Sequence, residues 1–288
     1  MKTGRRTLGG GWIVLFLLLV AAGARAQVFY SVTTPGGDVN WLLGTIHAED
    51  ARVLEFPPVL EQALRQADRL ALELVPDESM LQALAREMRL PPGEVLADRI
   101  GPRLYRRVAR ALADYGMDRK TIRRLQPWAA AMTLSQPPLE TGMFMDLALS
   151  IAASRSGAEL IALETLDEQL AFFTGLGEDA HVRLLEAAVE EPDSRSARLE
   201  VLIEAWLAGD LERLRRLAER ELAGLDAETR ARFRTSGIVE RNVRMARRAQ
   251  PLLEHGNTLV AVGALHLPGA DGLIALLREQ GNRVEVIY

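Results

Sequence analysis

The chain has 288 residues, a formal net charge of −4 and no cysteine. The missing thiols exclude disulfides, a thiolate nucleophile and thiolate metal ligands, so nitrogen and oxygen are the only donors left for a metal. The acidic balance supplies no electrostatic reason for a nucleic-acid partner, and the length suits one large α/β domain with a sizeable core.

Lys2, Arg5 and Arg6 precede an apolar stretch from Trp12 to Ala22, which is followed by Ala24-Arg25-Ala26. A basic start, an apolar run too short to span a bilayer comfortably and a small-x-small site predict a signal peptide over residues 1–26. Cleavage after Ala26 and export to the periplasm or the extracellular space are expected. The alternative is an uncleaved anchor, which would be the chain's one link to a membrane. Without Lys2, Arg5, Arg6 and Arg25 the charge of −4 becomes −8 for residues 27–288. No other segment is apolar enough to cross a membrane.

Val28–Val32 and Val39–Leu43 flank Pro35-Gly36-Gly37-Asp38, the pattern of a hairpin. The second strand runs into Gly44-Thr45-Ile46-His47. Pro57-Pro58 then opens a helix with apolar positions at Val59, Leu60, Ala63, Leu64 and Ala67. Leu70–Val75 reads as a buried strand interrupted by one carboxylate, Glu73. The carboxy-terminal end repeats this order. A strand over 259–262 leads to Gly263-Ala264-Leu265-His266, then Pro268-Gly269, a helix carrying Leu273, Ile274, Leu276 and Leu277, and a last strand over Arg283–Tyr288. Each unit is a βαβ half suited to a parallel sheet.

Between the halves lies a helical region, about residues 77–257, interrupted by a strand near 159–164 that ends in Glu164. Pro91-Pro92-Gly93, Gly101-Pro102, Pro127 and Pro137-Pro138 are expected at helix ends. The stretch from Ser196 to Arg248, rich in Arg and Glu, reads as a pair of solvated helices capping the sheet, with Gly209-Asp210 at their turn. The expected fold is therefore α/β: a central, mostly parallel sheet built from two βαβ halves, with a large helical insertion, in a single domain over residues 27–288.

Only four histidines occur in the chain, and two of them, His47 and His266, stand in matched Gly-x-x-His settings. Ligands collect at the carboxyl ends of strands in such sheets, so the pair is a candidate shared metal site. Gly44 and Gly263 remove the Cβ where each strand turns and would let the backbone approach a ligand. Glu73, flanked by leucines on a buried strand, must be answered by a cation or an arginine. Glu164 poses the same problem, and for it a site role and a structural ion pair stand level. Two imidazoles and a carboxylate suit a hydrolytic metal, Zn²⁺, Mn²⁺, Co²⁺ or Fe²⁺. His181, in a polar helix start, and His255, beside a turn, are expected to be exposed and uninvolved. No Gly-x-Ser-x-Gly elbow, phosphate-binding loop or His-Glu-x-x-His helix is present.

Leu43–His47, Ala71-Leu72-Glu73-Leu74, Leu163–Gln169, Glu240-Arg241-Asn242 and Val262–His266 occur in that order. Together they resemble the TraB/GumN family, which includes the Tiki proteases of animals, over about residues 39–288. The resemblance implies a metal-dependent peptidase using Mn²⁺ or Co²⁺, with His47, His266 and Glu73 as metal residues. It also points to Arg241 and Asn242, Arg241 either orienting a carboxylate or steadying an oxyanion. Asp146 matches a Gly-x-Asp position of the family imperfectly, and reads equally as an acid in the first turn of a helix. The expectation is an exported metal-dependent hydrolase of peptides or small molecules, with Glu164 or Glu73 accepting the proton of the attacking water. The alternative is a non-catalytic protein that sequesters a peptide, haem or a metal on the same scaffold.

Overall fold

Phe29–Thr33 (β1) and Val39–Thr45 (β2) form the expected hairpin, pairing antiparallel in a register that sets Phe29 opposite Leu43 and Thr33 opposite Val39. The computed structural model describes residues 27–190 and 194–288; the predicted signal peptide lies outside them. Four more strands follow: Arg69–Leu72 (β3), Glu159–Ala162 (β4), Thr258–Gly263 (β5) and Arg283–Val286 (β6). They form one six-stranded sheet in the order β4-β3-β5-β2-β1-β6.

The neighbours β4, β3, β5 and β2 all run parallel, and β1 is antiparallel to both β2 and β6. Neither βαβ half pairs its own strands. β5 inserts between β2 and β3, while β2 and β1 separate β5 from β6. The two halves interleave, and that sets β2 beside β5. Val260, Ala261 and Val262 in β5 are fully buried, as are Leu42 and Leu43 in β2. Such continuous apolar runs are what a strand covered on both faces requires.

β3 is shorter than expected. It stops at Leu72, so Glu73 lies just past the strand and not within it. At this position the carboxylate reaches polar partners instead of hydrocarbon.

Pro57 caps the helix Pro58–Gln66, with Pro58 at its first position. Gly101-Pro102 marks a helix boundary as expected: Gly101, at φ 75° and ψ 155°, is non-helical and breaks Leu96–Ala113 into two helical pieces. The stretch after Ser194 forms four helices, not two: Ser194–Leu207, Leu211–Glu221, Ala227–Arg234 and Glu240–Leu253. A π-helical turn, Thr235–Val239, joins the last two. Gly209 (φ 64°) and Asp210 make the expected turn between the first pair.

The insertion has its own apolar core, gathered around Leu96, Val108, Leu112, Trp128, Leu134 and Leu185, apart from the core under the sheet. His181 corrects an expectation of exposure. It lies in the helix Glu178–Glu190 at 6% accessibility, its Nε2 2.7 Å from the carbonyl oxygen of Phe173 at the end of Leu166–Thr174. That ring fills the junction of two helices that both face the second core. His255 is exposed as expected. Among the described residues no helix is long and apolar enough to cross a membrane.

Candidate active site at the carboxyl edge of the sheet

Four parallel strands end along one edge. Thr45 stands opposite Gly263, and Leu72 lies between Ala261 and Ala162. The ladder runs on past β3 and β4: Leu163 N–H donates to Leu72 O (2.7 Å) and Glu164 N–H to Glu73 O (2.9 Å). Glu73 and Glu164 therefore project from neighbouring positions. The helix Glu240–Leu253 lays Arg241, Arg244 and Arg248 over this edge, residues spaced three and four apart on one face.

Arg241 Nη2 lies 2.6 Å from Oε2 of both Glu73 and Glu164. Arg244 reaches Glu164 Oε1 at 3.1 Å, and Arg248 holds both oxygens of Glu168 at 2.7 and 2.8 Å. Gln169 Nε2 bridges the two acids, donating to Glu73 Oε2 at 3.1 Å and Glu164 Oε2 at 3.4 Å. The Glu164 side chain is wholly enclosed. Of its two readings, the ion pair is the one observed: it anchors two arginines and has no surface to offer a water molecule. Arg241 is likewise engaged by carboxylates. Its pKa is raised, because Glu164 and Glu73 outweigh the desolvation that would lower it.

The other oxygen of Glu73 faces β5. Gly263 N–H donates to Oε1 at 2.7 Å, and a Cβ on Gly263 would stand 3.2 Å from that oxygen. The missing side chain makes room for a carboxylate of the chain itself. Burial raises the Glu73 pKa, but His266, Arg241 and the Gly263 N–H together leave it below the ordinary carboxylate range.

His266 closes the short turn Ala264–His266 and is buried, 4% accessible. Its Nδ1 lies 2.6 Å from Oδ1 of Asn242, whose Nδ2 donates to Asp271 O at 2.7 Å. Since the amide nitrogen faces a carbonyl, Oδ1 must face the imidazole, and Nδ1 must carry the proton. Nε2 is left with its lone pair, 3.6 Å from Glu73 Oε1. Burial holds the His266 pKa below that of a free imidazole; Glu73 opposes this and Arg241 adds to it. The ring is thus a neutral donor at neutral pH.

Asp146 occupies the first turn of the helix Met145–Ser156 and accepts from Thr45 Oγ1 at 3.2 Å. Burial and the charge of Glu73 push its pKa up to about 7, against the Thr45 hydrogen bond. The residue begins a helix, as one reading has it, and it meets the strand end that leads to His47. His47 itself is exposed, on the loop after β2, with its ring 4.2 Å from that of Phe144. Partial desolvation lowers its pKa, and Glu49 opposes the shift. Among the described residues, no three imidazole or carboxylate groups gather as one ligand set; His266 and Glu73 meet, and His47 does not complete a triad with them.

Gly44 differs from its expected role. A Cβ there would meet Leu267 Cδ1 at 2.7 Å and Ala264 Cα at 3.1 Å, so the glycine admits the turn that carries His266, not a ligand. Its carbonyl accepts from the buried Trp206 indole at 2.8 Å. Trp206 and Arg244 were not singled out by sequence, and Gln169 entered only as the last residue of a motif. Arg244 had a legible signal, its spacing from Arg241; Trp206 had none, since only the fold brings it to Gly44.

In donor chemistry the edge fits a divalent cation: a neutral imidazole with Nε2 free, an ionised carboxylate 3.6 Å away and an orienting amide behind. The chain is 27% identical over 298 aligned positions to Metalloprotease TIKI1 of Danio rerio, covering 85% of this chain and 60% of that protein. It thus spans under two thirds of the length of that relative. No solved structure matches the chain. The TraB/PrgY/gumN family model matches residues 28–286, and the chain belongs to that family.

Proposed function

We propose that the chain is an exported metal-dependent hydrolase, acting as a peptidase, with a divalent cation (Mn²⁺, Co²⁺ or Zn²⁺) held by His266 and Glu73, and with His47, which stands outside that pair in the structure, as the third ligand that the family resemblance implies. The observation that carries this reading is the orientation of His266, whose Nε2 is freed by Asn242 and set 3.6 Å from Glu73. That nitrogen keeps a lone pair beside an acid, the arrangement a metal ligand needs. The likeness to Metalloprotease TIKI1 supports the same reading.

When bound, the metal would polarise a substrate carbonyl and lower the pKa of water. The chain's own residues divide the remaining work. Arg241 and Gln169 fix one oxygen of Glu73 and Gly263 N–H the other, so the carboxylate holds one orientation. Glu73, with its side chain 19% accessible, is the base that can reach solvent, whereas Glu164 is enclosed. Glu164 acts by holding Arg241. Asp146, with a pKa of about 7, is a second proton-exchanging group at neutral pH.

The test is metal analysis of the purified protein, followed by cleavage of a peptide library with Mn²⁺, Co²⁺ or Zn²⁺ supplied. Turnover in the wild type and its loss in His266→Ala and Glu73→Gln, with the fold intact, supports the proposal. Tight binding of a peptide, haem or metal without turnover under any of these ions would replace it with the sequestering function.

A further inference from the structure

β4 is the end strand of the sheet, and its outer edge has no neighbour among the described residues. Glu159 N–H donates to Asp68 O and Leu163 N–H to Leu72 O, so the odd-numbered residues face β3. By the alternation of a strand, the N–H and C=O of Leu160 and Ala162 point outward. Glu159 and Ala162 are solvent-exposed. The strand is four residues long with one charge, Glu159, at its start, and it carries no proline or lysine.

A groove of about 410 Å³ runs beside it, between β4 and the helix Met145–Ser156, lined by Pro76, Leu147, Ile151, Ser154, Arg155 and Leu160. The lining order shows its direction. Arg155 and Ser154 lie at the carboxyl end of that helix, and Leu147 is next to Asp146 at its amino end. Asp146 touches Thr45 at the carboxyl edge of the sheet, and Pro76 follows Glu73 by three residues. The groove therefore runs alongside β4 toward the carboxyl edge of the sheet, the edge that carries the candidate active site.

We infer that an extended peptide binds here by adding a seventh strand to β4, its alternate side chains entering the groove beside Leu160. This rests on the peptidase reading and gives its substrate a binding mode: main-chain hydrogen bonds to Leu160 and Ala162, with a preference for apolar residues at every second position. A peptide held in that plane is extended, the conformation in which its carbonyls are open to attack at the strand end.

The test is fluorescence polarisation of a fluorescein-labelled heptapeptide alternating valine and threonine between terminal lysines, with chelator present so that no turnover occurs. Ala162→Pro removes one outward donor and leaves the ladder with β3 intact. Ser154→Trp, at an exposed position, plugs the groove without touching the edge, and keeps the test decisive should the proline variant not fold. At least tenfold weaker binding is expected for each variant. Methylation of alternate peptide amides is expected to abolish binding in one phase and spare it in the other. No binding by the wild type, equal binding by both variants, or insensitivity to the phase of methylation overturns the inference. Concentration-dependent dimers that Ala162→Pro dissolves, seen by sedimentation, would assign the edge to a second copy of the chain and overturn it too. Because the assay excludes catalysis, its failure is separate from failure of the peptidase reading, which peptide cleavage decides.

Discussion

Asn242 Oδ1 lies 2.6 Å from Nδ1 of His266, joining a helix to the turn after β5 across 24 residues. The contact decides which imidazole nitrogen is free. It is an orienting hydrogen bond of the kind that raises the basicity of a ligand and fixes its direction.

Asn242→Ala should therefore weaken divalent-metal affinity by about 10–100-fold, measured by isothermal titration calorimetry. It should also lower stability by about 1–3 kcal/mol, since the buried Nδ1–H of His266 loses its acceptor. An unchanged affinity would show that the His266 tautomer does not matter to the site.

The paired acids should separate in urea denaturation. Glu164→Gln leaves Arg241 and Arg244 short of an enclosed partner and should cost about 3–5 kcal/mol. Glu73→Gln should cost less, because Arg241 keeps Glu164 and Glu73 is partly accessible, yet it should abolish turnover. Equal losses of stability from the two would contradict the division of labour drawn for them.

Three glycines should rank oppositely in stability and chemistry. A Cβ at Gly272 would stand 2.3 Å from Leu267 O and 2.4 Å from Pro268 O, at Gly44 2.7 Å from a flexible leucine methyl, and at Gly263 3.2 Å from Glu73 Oε1. Gly272→Ala should leave little folded protein. Gly44→Ala should cost about 1–3 kcal/mol. Gly263→Ala should fold nearly as the wild type, yet displace the Glu73 carboxylate and cut turnover at least tenfold. Melting temperatures and cleavage rates measured together check the ranking.

Asp146 sets a pH dependence. Its folded pKa of about 7 lies above the ordinary 3.8, so the folded state binds this proton more tightly than the unfolded state. That contribution favours folding fully below pH 4 and is lost as pH rises to about 7. In chelator-treated protein, Asp146→Asn should remove this slope, gaining on the order of 2–4 kcal/mol relative to wild type at pH 7.5 compared with pH 4. A wild-type slope that survives in the variant would assign it to another group.

What could be read from the chain alone was whatever local pattern carries. The hairpin, both Gly-x-x-His turns and the helix opened by Pro58 follow from apolar runs and from proline and glycine chemistry, which act over a few residues. The motifs also named the residues that meet at the edge: Glu73, Glu164, Arg241, Asn242 and His266. The length of β3, the interleaving of the two halves and the burial of His181 were not legible in this way. Each depends on what packs against the segment from elsewhere, and burial is a property of neighbours distant in sequence.

Tertiary structure alone decided what the named residues do to one another. Arg241 could as well have faced solvent as Glu73; the helix that follows the π-turn put it between two carboxylates. Gly263 could have served a ligand, and the crossover that sets β5 beside β3 filled its space with Glu73. Pairing of this kind is fixed by strand order, and strand order is chosen by the summed burial of the whole sheet, which no short stretch of sequence encodes.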